Sequence, residues 1–409
     1  MKDNRVVITG MGIYSCIGKN LEQVKESLYN GTSGIGIDLD RKELGYQSSL
    51  TGIVEAPNLK GKLDRKKRVT LSEQGAYAYV ATVEAMAMAQ IDEAFLADRE
   101  VGILYGNDSC AIHTIEGVDT IRAKRNTALV GSGNIFQSMN STVSMNLSVI
   151  FNLRGVNFTI AGACASGSHS IGMAYLMIKS GLQECIVCGG AQEVNKYVVG
   201  SFDALGAFSS LESDPTSASR PFDVSRDGLV PSGGAATLIL ESYDSAIKRG
   251  ANIIAEVKGY GFSSNGEHIS VPNVDGPRRS LEMALRDAEL DSSAIPYINA
   301  HATSTPIGDL NEAKAIAELF DGHSPYVTST KSMTGHEMWM AGASEVIYSL
   351  LMMDGGFIAP NINFEQGDEI TSKLNIPNKR VKMEFDRFLS NSFGFGGTNS
   401  TLIIEKVKK

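Results

Sequence analysis

The residues from 158 to 172, FTIAGACASGSHSIG, place one cysteine, Cys164, where an apolar strand pattern gives way to a helix pattern. Its neighbours are small, which leaves space for an acyl group beside the sulfur. A thiol at a helix N-terminus lies at the positive end of the helix dipole, which stabilises the thiolate. Its backbone N–H is also free to donate to an oxyanion. The stretch therefore indicates a nucleophile, with a buried structural cysteine as the alternative.

Histidines are the partners that such a nucleophile needs, and the chain has 6 of them. His301 ends the strand pattern PYINAH, and His336 ends KSMTGH just before an apolar helix pattern. Neither has a third ligand at short spacing, which argues against a metal site. His169 is expected to pack within the helix that follows the cysteine. The remaining three are predicted to be solvated loop residues: His113, His268 and His323.

Helix and strand patterns alternate along the whole chain and predict an α/β architecture. Three pairs of segments also echo one another in the same order. VVITGMGIYS and EVKGYGFSSN both read as strands that run into a Gly-x-Gly turn. Such self-similarity predicts two related halves, residues 1–250 and 251–409, with a site at their junction. The first turn lacks the third glycine of a dinucleotide-binding fingerprint, because Ser15 occupies its place.

The composition limits the partners and the location. The 409 residues are 43% hydrophobic, enough for a large core, and their net charge of −9 argues against a polyanion such as DNA. No apolar run reaches the roughly 18 residues of a membrane helix, and no signal peptide is recognisable. We therefore predict a cytoplasmic protein without a membrane or nucleic-acid partner. Cys185 and Cys188 lie in a buried strand pattern on opposite faces, which disfavours a redox or zinc pair.

Four blocks of the sequence together resemble the signatures of one enzyme family. They are GACASG around Cys164, AHATSTPIGD around His301, KSMTGH ending at His336, and NSFGFGGTN near the C-terminus. In this order and spacing they are similar to the blocks of β-ketoacyl-acyl-carrier-protein synthases I and II, the elongating condensing enzymes of the thiolase superfamily. The resemblance covers essentially the whole chain. It implies a thiolase-like fold, in which two duplicated α/β halves form five layers of alternating helix and sheet.

The resemblance also implies a reaction and a role for each matched residue. Cys164 matches the acyl-accepting nucleophile, and His301 and His336 match two active-site histidines. Phe395 matches a gating residue whose backbone N–H completes an oxyanion hole with that of the nucleophile. The other matches are Lys331, which orients the second histidine; Glu312, an acidic residue near that lysine; Thr303 and Thr305, which bind the phosphopantetheine arm; and Asn299, Glu345, Ser390 and Asn391, near which some relatives hold a structural cation.

The physical chemistry of condensation fits these roles. Decarboxylation of a malonyl thioester supplies a carbanion without a strong base, provided that the enolate oxygen is stabilised. Two neutral imidazoles that donate to one oxygen in a dry site would do so. The nearby Lys331 cation disfavours an imidazolium at His336. No cofactor is needed, because both substrates arrive on the phosphopantetheine of acyl carrier protein.

One stretch departs from the family pattern. After His336 most relatives have small residues, roughly TGHSLGAAG, whereas this chain has TGHEMWMAG, with Trp339 at a glycine position. Either the helix start is repacked or the acyl pocket is reshaped for a different primer. Ser109 lies where relatives limit the pocket depth, and a serine would not block it, so the primer length stays open. The matched pocket positions are Ser109, Val198, Phe202, Met338 and Phe393.

A basic run lies on this otherwise acidic chain, at Lys62, Arg65, Lys66, Lys67 and Arg68. It is either a solvated charged face or a docking site for acyl carrier protein, which is acidic and which the family binds in this region; we favour docking. The family also implies a homodimer, paired through residues 131–146. We predict fatty-acid elongation, with a polyene or polyketide pathway as the alternative. A non-catalytic chain-length-factor-like subunit is disfavoured because the nucleophile and both histidines are present.

Overall fold

The computed structural model describes residues 4–407. Its strands are β1 (Val6–Ser15), β2 (Ile35–Ile37), β3 (Leu50–Gly52), β4 (Gly102–Gly106), β5 (Asn157–Ile160), β6 (Cys185–Gln192), β7 (Gly234–Ser242), β8 (Ala255–Ser264), β9 (Tyr297–Asn299), β10 (Tyr326–Thr328), β11 (Phe357–Ile358), β12 (Val381–Lys382), β13 (Arg387–Gly394) and β14 (Thr398–Glu405). Its α-helices are α1 (Leu21–Asn30), α2 (Leu39–Glu43), α3 (Arg65–Thr70), α4 (Glu73–Ala89), α5 (Glu93–Ala97), α6 (Ile112–Lys124), α7 (Asn134–Ser138), α8 (Thr142–Phe151), α9 (Ser166–Lys179), α10 (Lys196–Ala204), α11 (Tyr243–Lys248), α12 (Asp275–Asp287), α13 (Pro306–Leu319), α14 (Lys331–Thr334) and α15 (Ala341–Gly355).

The main sheet has 10 strands in the order β10-β9-β13-β14-β8-β1-β7-β6-β4-β5. At its centre β1 pairs with β8 only from Val6 to Ile8, whereas its pairing with β7 runs from Val6 to Ser15. Outward from this centre, the arm β1-β7-β6-β4-β5 and the arm β8-β14-β13-β9-β10 have the same topology. Each arm has two antiparallel pairings followed by two parallel ones. The predicted α/β fold with two related halves is confirmed, while the boundary near residue 250 stays a prediction.

Helices complete five layers around the two arms. Helices α9 and α15 pack on each other and form the central cluster of buried side chains, together with residues of both arms. Helices α4 and α8 cover the outer face of the first arm, and α12 and α13 cover that of the second. Since β1 is buried along its whole length, it reads as a nearly continuous apolar run. Among residues 4–407, no helix combines the length and apolar character that crossing a membrane requires.

The two Gly-x-Gly segments are not turns, contrary to the sequence-based expectation. Both lie inside long strands, β1 and β8, where a helix packs directly on the backbone. A Cβ at Gly12 would lie 2.1 Å from the carbonyl oxygen of Ala81 in α4, and one at Gly261 would lie 1.9 Å from that of Ser280 in α12. The glycines therefore serve close strand–helix packing, at equivalent places in the two arms.

The C-x-x-C cysteines lie on opposite faces of β6, as predicted. Cys185 is buried in the outer cluster beneath α4, and Cys188 is buried in the central cluster. Both are free thiols. Burial raises the pKa of each thiol above its ordinary value. These two residues are therefore core side chains without a reactive thiolate.

Candidate functional site

Cys164 lies in a single 3-10 turn, Ala163–Ala165, between β5 and α9. The residue before it, Ala163, has a φ of 45°, a left-handed conformation that non-glycine residues rarely adopt. The N–H of Ala163 donates to Asp108 at 2.8 Å, which holds this turn. Such a strained backbone turn is typical of functional sites.

The thiol of Cys164 is buried, at 7% exposure, although the sequence suggests an open one. Burial raises the pKa of this thiol to about 12. The charge of Lys331 and the backbone N–H groups of Cys164 and Phe395 at the sulfur act to lower the pKa, but their effect is smaller. The expected stabilisation of the thiolate by the helix dipole is therefore outweighed by desolvation. A thiol with so high a pKa can act as a nucleophile only when a base accepts its proton.

A cavity of about 440 Å³ opens in front of Cys164. Residues from both halves of the chain line it, between 164 and 229 and between 265 and 399, which agrees with the predicted site at their junction. The expected site residues that line it are Cys164, Phe202, His301, Thr303, Thr305, Glu312, His336, Met338, Phe393 and Phe395.

His301 and His336 face each other in this cavity. His301 follows β9, and its ring centroid lies 5.3 Å from that of His336 at an interplanar angle of 85°. His336 follows α14, and its backbone N–H donates to the carbonyl of Val230, in the segment before β7, at 2.7 Å. Phe393 packs on His301 with the ring centroids 5.7 Å apart.

Both imidazoles are neutral near pH 7. Burial and the charge of Lys331 hold the pKa of each ring well below its ordinary value, and His336 lowers that of His301 further. Both ring nitrogens of His336 and Nδ1 of His301 have no hydrogen-bond partner among residues 4–407. Unpaired buried nitrogens are costly in a folded protein, so these atoms are available to a substrate.

Two buried acidic residues, Glu345 and Glu312, lie near Lys331, as expected for Glu312. The ammonium group of Lys331 pairs with Glu345 rather than with Glu312. Glu312 instead accepts from the backbone N–H of His301 at 2.9 Å and from that of Ala302 at 2.7 Å. It thus fixes the peptide that carries the first histidine. Burial raises the pKa of Glu345 to about 8, although Lys331 opposes the shift.

Phe395 begins a 3-10 turn at the end of β13. Gly396 and Gly397 follow it with φ values of 78° and 72°, which explains the glycine pair of this block. The phenyl ring stacks on Phe202, with the centroids 5.9 Å apart, and is 38% exposed. The N–H of Gly396 donates to the carbonyl of Ile269 at 2.7 Å and so joins this turn to a loop at the cavity mouth.

The mouth of the cavity is partly apolar and partly polar. Thr303 and Thr305 lie there with their hydroxyls 3.1 Å apart. The loop from 268 to 273 also lines the cavity, although no sequence pattern predicts it there. His268 belongs to it: as predicted it is exposed, but it also lines the cavity. No local pattern distinguishes this loop, because only long-range packing brings it to the site.

The histidines outside the pair lie in three kinds of environment. His169 is held in α9 by Tyr260 at 2.6 Å and Thr398 at 2.8 Å, in agreement with a structural role. His323 is an exposed loop residue, as expected. His113 was expected in a loop, but it lies in α6 and is half-buried.

Two expected pocket residues do not line the cavity. Ser109 accepts a hydrogen bond from the indole N–H of Trp339 at 3.2 Å. Val198 is buried in the same apolar cluster as Trp339 and Cys164. The expectation of open space at Ser109 is therefore wrong, because the indole occupies it.

Three of the residues expected near a structural cation have buried oxygen atoms without a partner within residues 4–407. Asn299 Oδ1, Glu345 Oε2 and Ser390 Oγ are buried and have no hydrogen-bond partner among the described residues. Asn299 and Ser390 are partners in the register of β9 and β13. Asn391 is already engaged, since it donates to Glu312 and accepts from Thr401 at 3.0 Å each. Three of the four residues fit a structural cation, and its presence stays a prediction.

The predicted docking residues lie in and beside α3. Asp64 caps this helix by accepting from the N–H of Lys67 at 3.0 Å. Lys62, Arg65 and Lys66 are exposed, and Arg68 donates to the carbonyl of Leu63 at 3.1 Å. Within residues 4–407 none of the five cations forms an ion pair, so their charge is available to a partner.

Comparisons with known proteins agree with this geometry. The family model "Beta-ketoacyl synthase, N-terminal domain" matches residues 3–246, and "Beta-ketoacyl synthase, C-terminal domain" matches residues 254–365. The chain is 40% identical over 407 residues to 3-oxoacyl-[acyl-carrier-protein] synthase 1 of Escherichia coli strain K12, covering 99% of each chain.

Two solved structures are similar along the whole chain. A β-ketoacyl synthase from Burkholderia phymatum STM815 has a TM-score of 0.94 and 34% identity, covering 99% of this chain and 100% of that one. A type II polyketide ketosynthase, solved with its acyl-carrier protein and described as bound to the hexaketide, has a TM-score of 0.88 and 28% identity, covering 100% of each chain.

Proposed function

The chain belongs to the β-ketoacyl synthase family, and on this premise we propose that it elongates fatty acyl chains by decarboxylating Claisen condensation. An acyl primer passes from acyl carrier protein to Cys164 and then joins malonyl-acyl-carrier-protein to give β-ketoacyl-acyl-carrier-protein. The observation that carries the proposal is one cavity that holds Cys164 opposite two neutral imidazoles, His301 and His336.

The acyl transfer uses the thiol and one imidazole. The sulfur of Cys164 attacks the thioester carbonyl, and a neutral imidazole accepts the thiol proton, which the raised pKa of the thiol makes necessary. The carbonyl oxygen becomes an oxyanion that the N–H groups of Cys164 and Phe395 stabilise. The bond to the pantetheine sulfur then breaks, and this sulfur leaves with the proton as a free thiol.

The condensation uses both imidazoles as donors. Carbon dioxide leaves the malonyl thioester, and the electron pair of the broken bond forms an enolate. Its oxygen accepts from His301 and His336, whose neutral state leaves each ring one N–H to donate. The enolate carbon attacks the acyl carbonyl on Cys164, whose oxygen becomes an oxyanion. The carbonyl re-forms as the carbon–sulfur bond breaks, and the Cys164 thiolate that leaves takes up a proton from water.

Acyl carrier protein is the partner that delivers both substrates. Exposed cations of α3 without ion pairs are suited to attract an acidic protein, in a manner that salt weakens. Thr303 and Thr305 at the mouth can bond the pantetheine arm that enters there.

A homodimer would cover a free sheet edge. Strand β5 pairs only with β4, so its other edge is open in the described chain. Phe158 on this strand is 56% exposed and Val149 on the adjoining α8 is 70% exposed. Part of the segment expected to pair subunits lies beside them, with Ile135 59% exposed and Met139 43% exposed. An open apolar edge of this kind is a usual surface for pairing with a second copy.

The test is acylation of the intact protein. After incubation with acyl-acyl-carrier-protein, mass spectrometry should detect one added acyl group on the peptide that contains Cys164, and none in Cys164→Ala. Cys188→Ala, which removes a buried thiol of the core, is the matched control and should be acylated normally. Acylation at another cysteine, or none at all, would contradict the proposed function.

A further inference from the structure

Trp339 is buried directly beside the nucleophile. It is 6% exposed and belongs to one apolar cluster with Cys164, Val198, Phe208 and Met338. Its indole N–H donates to Ser109, and its ring lies 6.4 Å from that of Phe202, centroid to centroid. The side chain thus has both a polar anchor and an aromatic neighbour.

The backbone of Trp339 is held as firmly as its ring. The residue lies in the 3-10 turn Met338–Met340, and Met338 has a φ of 47° in the left-handed region. A Cβ at Gly190 would lie 2.6 Å from the carbonyl oxygen of Trp339, so this peptide packs directly on β6. The backbone of Trp339 is therefore fixed on β6, and the hydrogen bond to Ser109 fixes the direction of the indole.

The condensation determines where the primer chain must go. The malonyl thioester enters through the mouth at Thr303 and Thr305 and must reach Cys164 while the primer is still attached. The primer chain therefore cannot lie in the mouth and must turn into the apolar cluster around the nucleophile. The open cavity extends in that direction to Phe202, Leu229 and Met338, and its lining includes neither Trp339 nor Ser109.

We propose that Trp339 fills the space behind Phe202 and Met338, at the inner end of the acyl pocket, and so restricts this enzyme to short acyl primers. The proposal rests on the proposed function, because it assigns the primer class of the same site. Ser109 contributes by holding the indole across the space that a longer chain would occupy. Short primers fit beside Phe202 and Met338 without displacing the indole.

The experiment compares primers on the full-length protein. Transfer of acetyl, butyryl and dodecanoyl groups from acyl carrier protein to Cys164, and the subsequent condensation, are measured for the wild type, Trp339→Gly and Trp339→Leu. The thermal unfolding midpoint is measured for each. Phe388→Leu is the matched control, because Phe388 is fully buried in the central cluster and does not line the cavity.

We expect the wild type to transfer butyryl groups about tenfold or more faster than dodecanoyl groups. A single methylene that does not fit a hydrophobic pocket already lowers the rate by about this factor. Trp339→Gly, or Trp339→Leu if the glycine variant does not fold, should raise the dodecanoyl-to-butyryl ratio about tenfold. Phe388→Leu should lower the unfolding midpoint without changing the ratio.

Two results would overturn the proposal. One is transfer of dodecanoyl and butyryl groups to wild-type Cys164 at equal rates. The other is an unchanged ratio in a folded Trp339 variant, which would make the tryptophan a packing residue only. Neither result affects the proposed function, whose failure is distinct: no primer of any length would then acylate Cys164 or condense.

Discussion

At the scale of single residues, desolvation determines the protonation states of the site. Burial raises the pKa of the Cys164 thiol and lowers that of both imidazoles. Both shifts favour the neutral form of the group. The thiol therefore needs a base, and the neutral rings can accept its proton or donate to an enolate. Lys331 adds to the effect on the rings.

Replacement of either histidine should therefore slow carbanion formation more than replacement of Cys164 does. His301→Ala and His336→Ala should each lower the decarboxylation of malonyl-acyl-carrier-protein by about 10²-fold or more, the usual effect of losing an oxyanion donor. Cys164→Ala should still decarboxylate, since the thiol takes no part in that step. Because the pKa of both rings lies well below 6.5, the wild-type rate should not fall as the pH drops through 6.5. The rate of carbon dioxide release measures decarboxylation in each variant and at each pH. Full activity in both histidine variants would mean that the enolate forms elsewhere.

Glu337, the residue after the second histidine, is a buried carboxyl that accepts from Ser344 and from Tyr348. Burial raises its pKa to about 7 from an ordinary 4.5. Below pH 4.5 the carboxyl group is protonated in both the folded and the unfolded chain. Between pH 4.5 and about 7 it ionises only in the unfolded chain, so the free energy of unfolding falls progressively over this range.

Glu337→Gln removes this ionisation, so it should gain stability relative to the wild type between pH 4.5 and 7. The gain should approach about 3 kcal/mol, the free energy of a shift of this size. Urea unfolding at both pH values measures it, and Glu26→Gln, which replaces an exposed carboxyl of α1, is the matched control. A constant difference between Glu337→Gln and the wild type at the two pH values would mean that the carboxyl is ionised when folded.

At the scale of elements, the contact between β1 and α4 depends on the absence of a side chain. Gly12→Ala should destabilise the protein by about 1–3 kcal/mol, the usual cost of overpacking, because its Cβ would lie 2.1 Å from a backbone oxygen. Gly261→Ala, at the equivalent place on β8 and α12, should behave alike. Gly250→Ala is a control with free space around the Cβ, although its φ of 69° adds a smaller cost. Denaturant unfolding that ranked Gly250→Ala as the most harmful would refute the packing argument.

We expect recognition of the carrier to depend on helix α3. Arg65→Glu with Lys66→Glu should raise the KM for acyl carrier protein about tenfold at low salt through the loss of steering, and leave kcat nearly unchanged. The difference in KM between this variant and the wild type should become smaller as salt is added. Lys373→Glu with Lys379→Glu reverses two exposed cations outside α3 and should have little effect. Equal changes in KM for the two double variants would indicate a general charge effect rather than a docking site.

At the scale of the whole molecule, the proposed homodimer would pair through the open edge of β5. Light scattering should find about twice the chain mass of 43.7 kDa at micromolar concentration. Phe158→Asp should weaken the assembly, because a charge on an edge strand opposes pairing. Asn157, which is also exposed on β5, offers a polar control in Asn157→Ser. A wild type of single-chain mass would end the homodimer proposal.

The sequence by itself determined the reactive residue types, their order along the chain and the duplicated α/β pattern. These features are local: Cys164 starts a helix, His301 and His336 end strand or turn segments, and small residues surround them. Strand and helix periodicity report burial of one face, and they do so in each half separately. This is why the fold class could be predicted without any knowledge of contacts.

Only the tertiary structure decided which groups meet. It pairs Lys331 with Glu345 and leaves Glu312 to hold the peptide of His301, because the three elements involved are brought together by packing of the second arm. It also places Trp339 against Ser109, 230 positions apart. Contacts over such separations leave no periodic trace in the sequence. The desolvation that sets the pKa of Cys164 likewise depends on every layer that covers it.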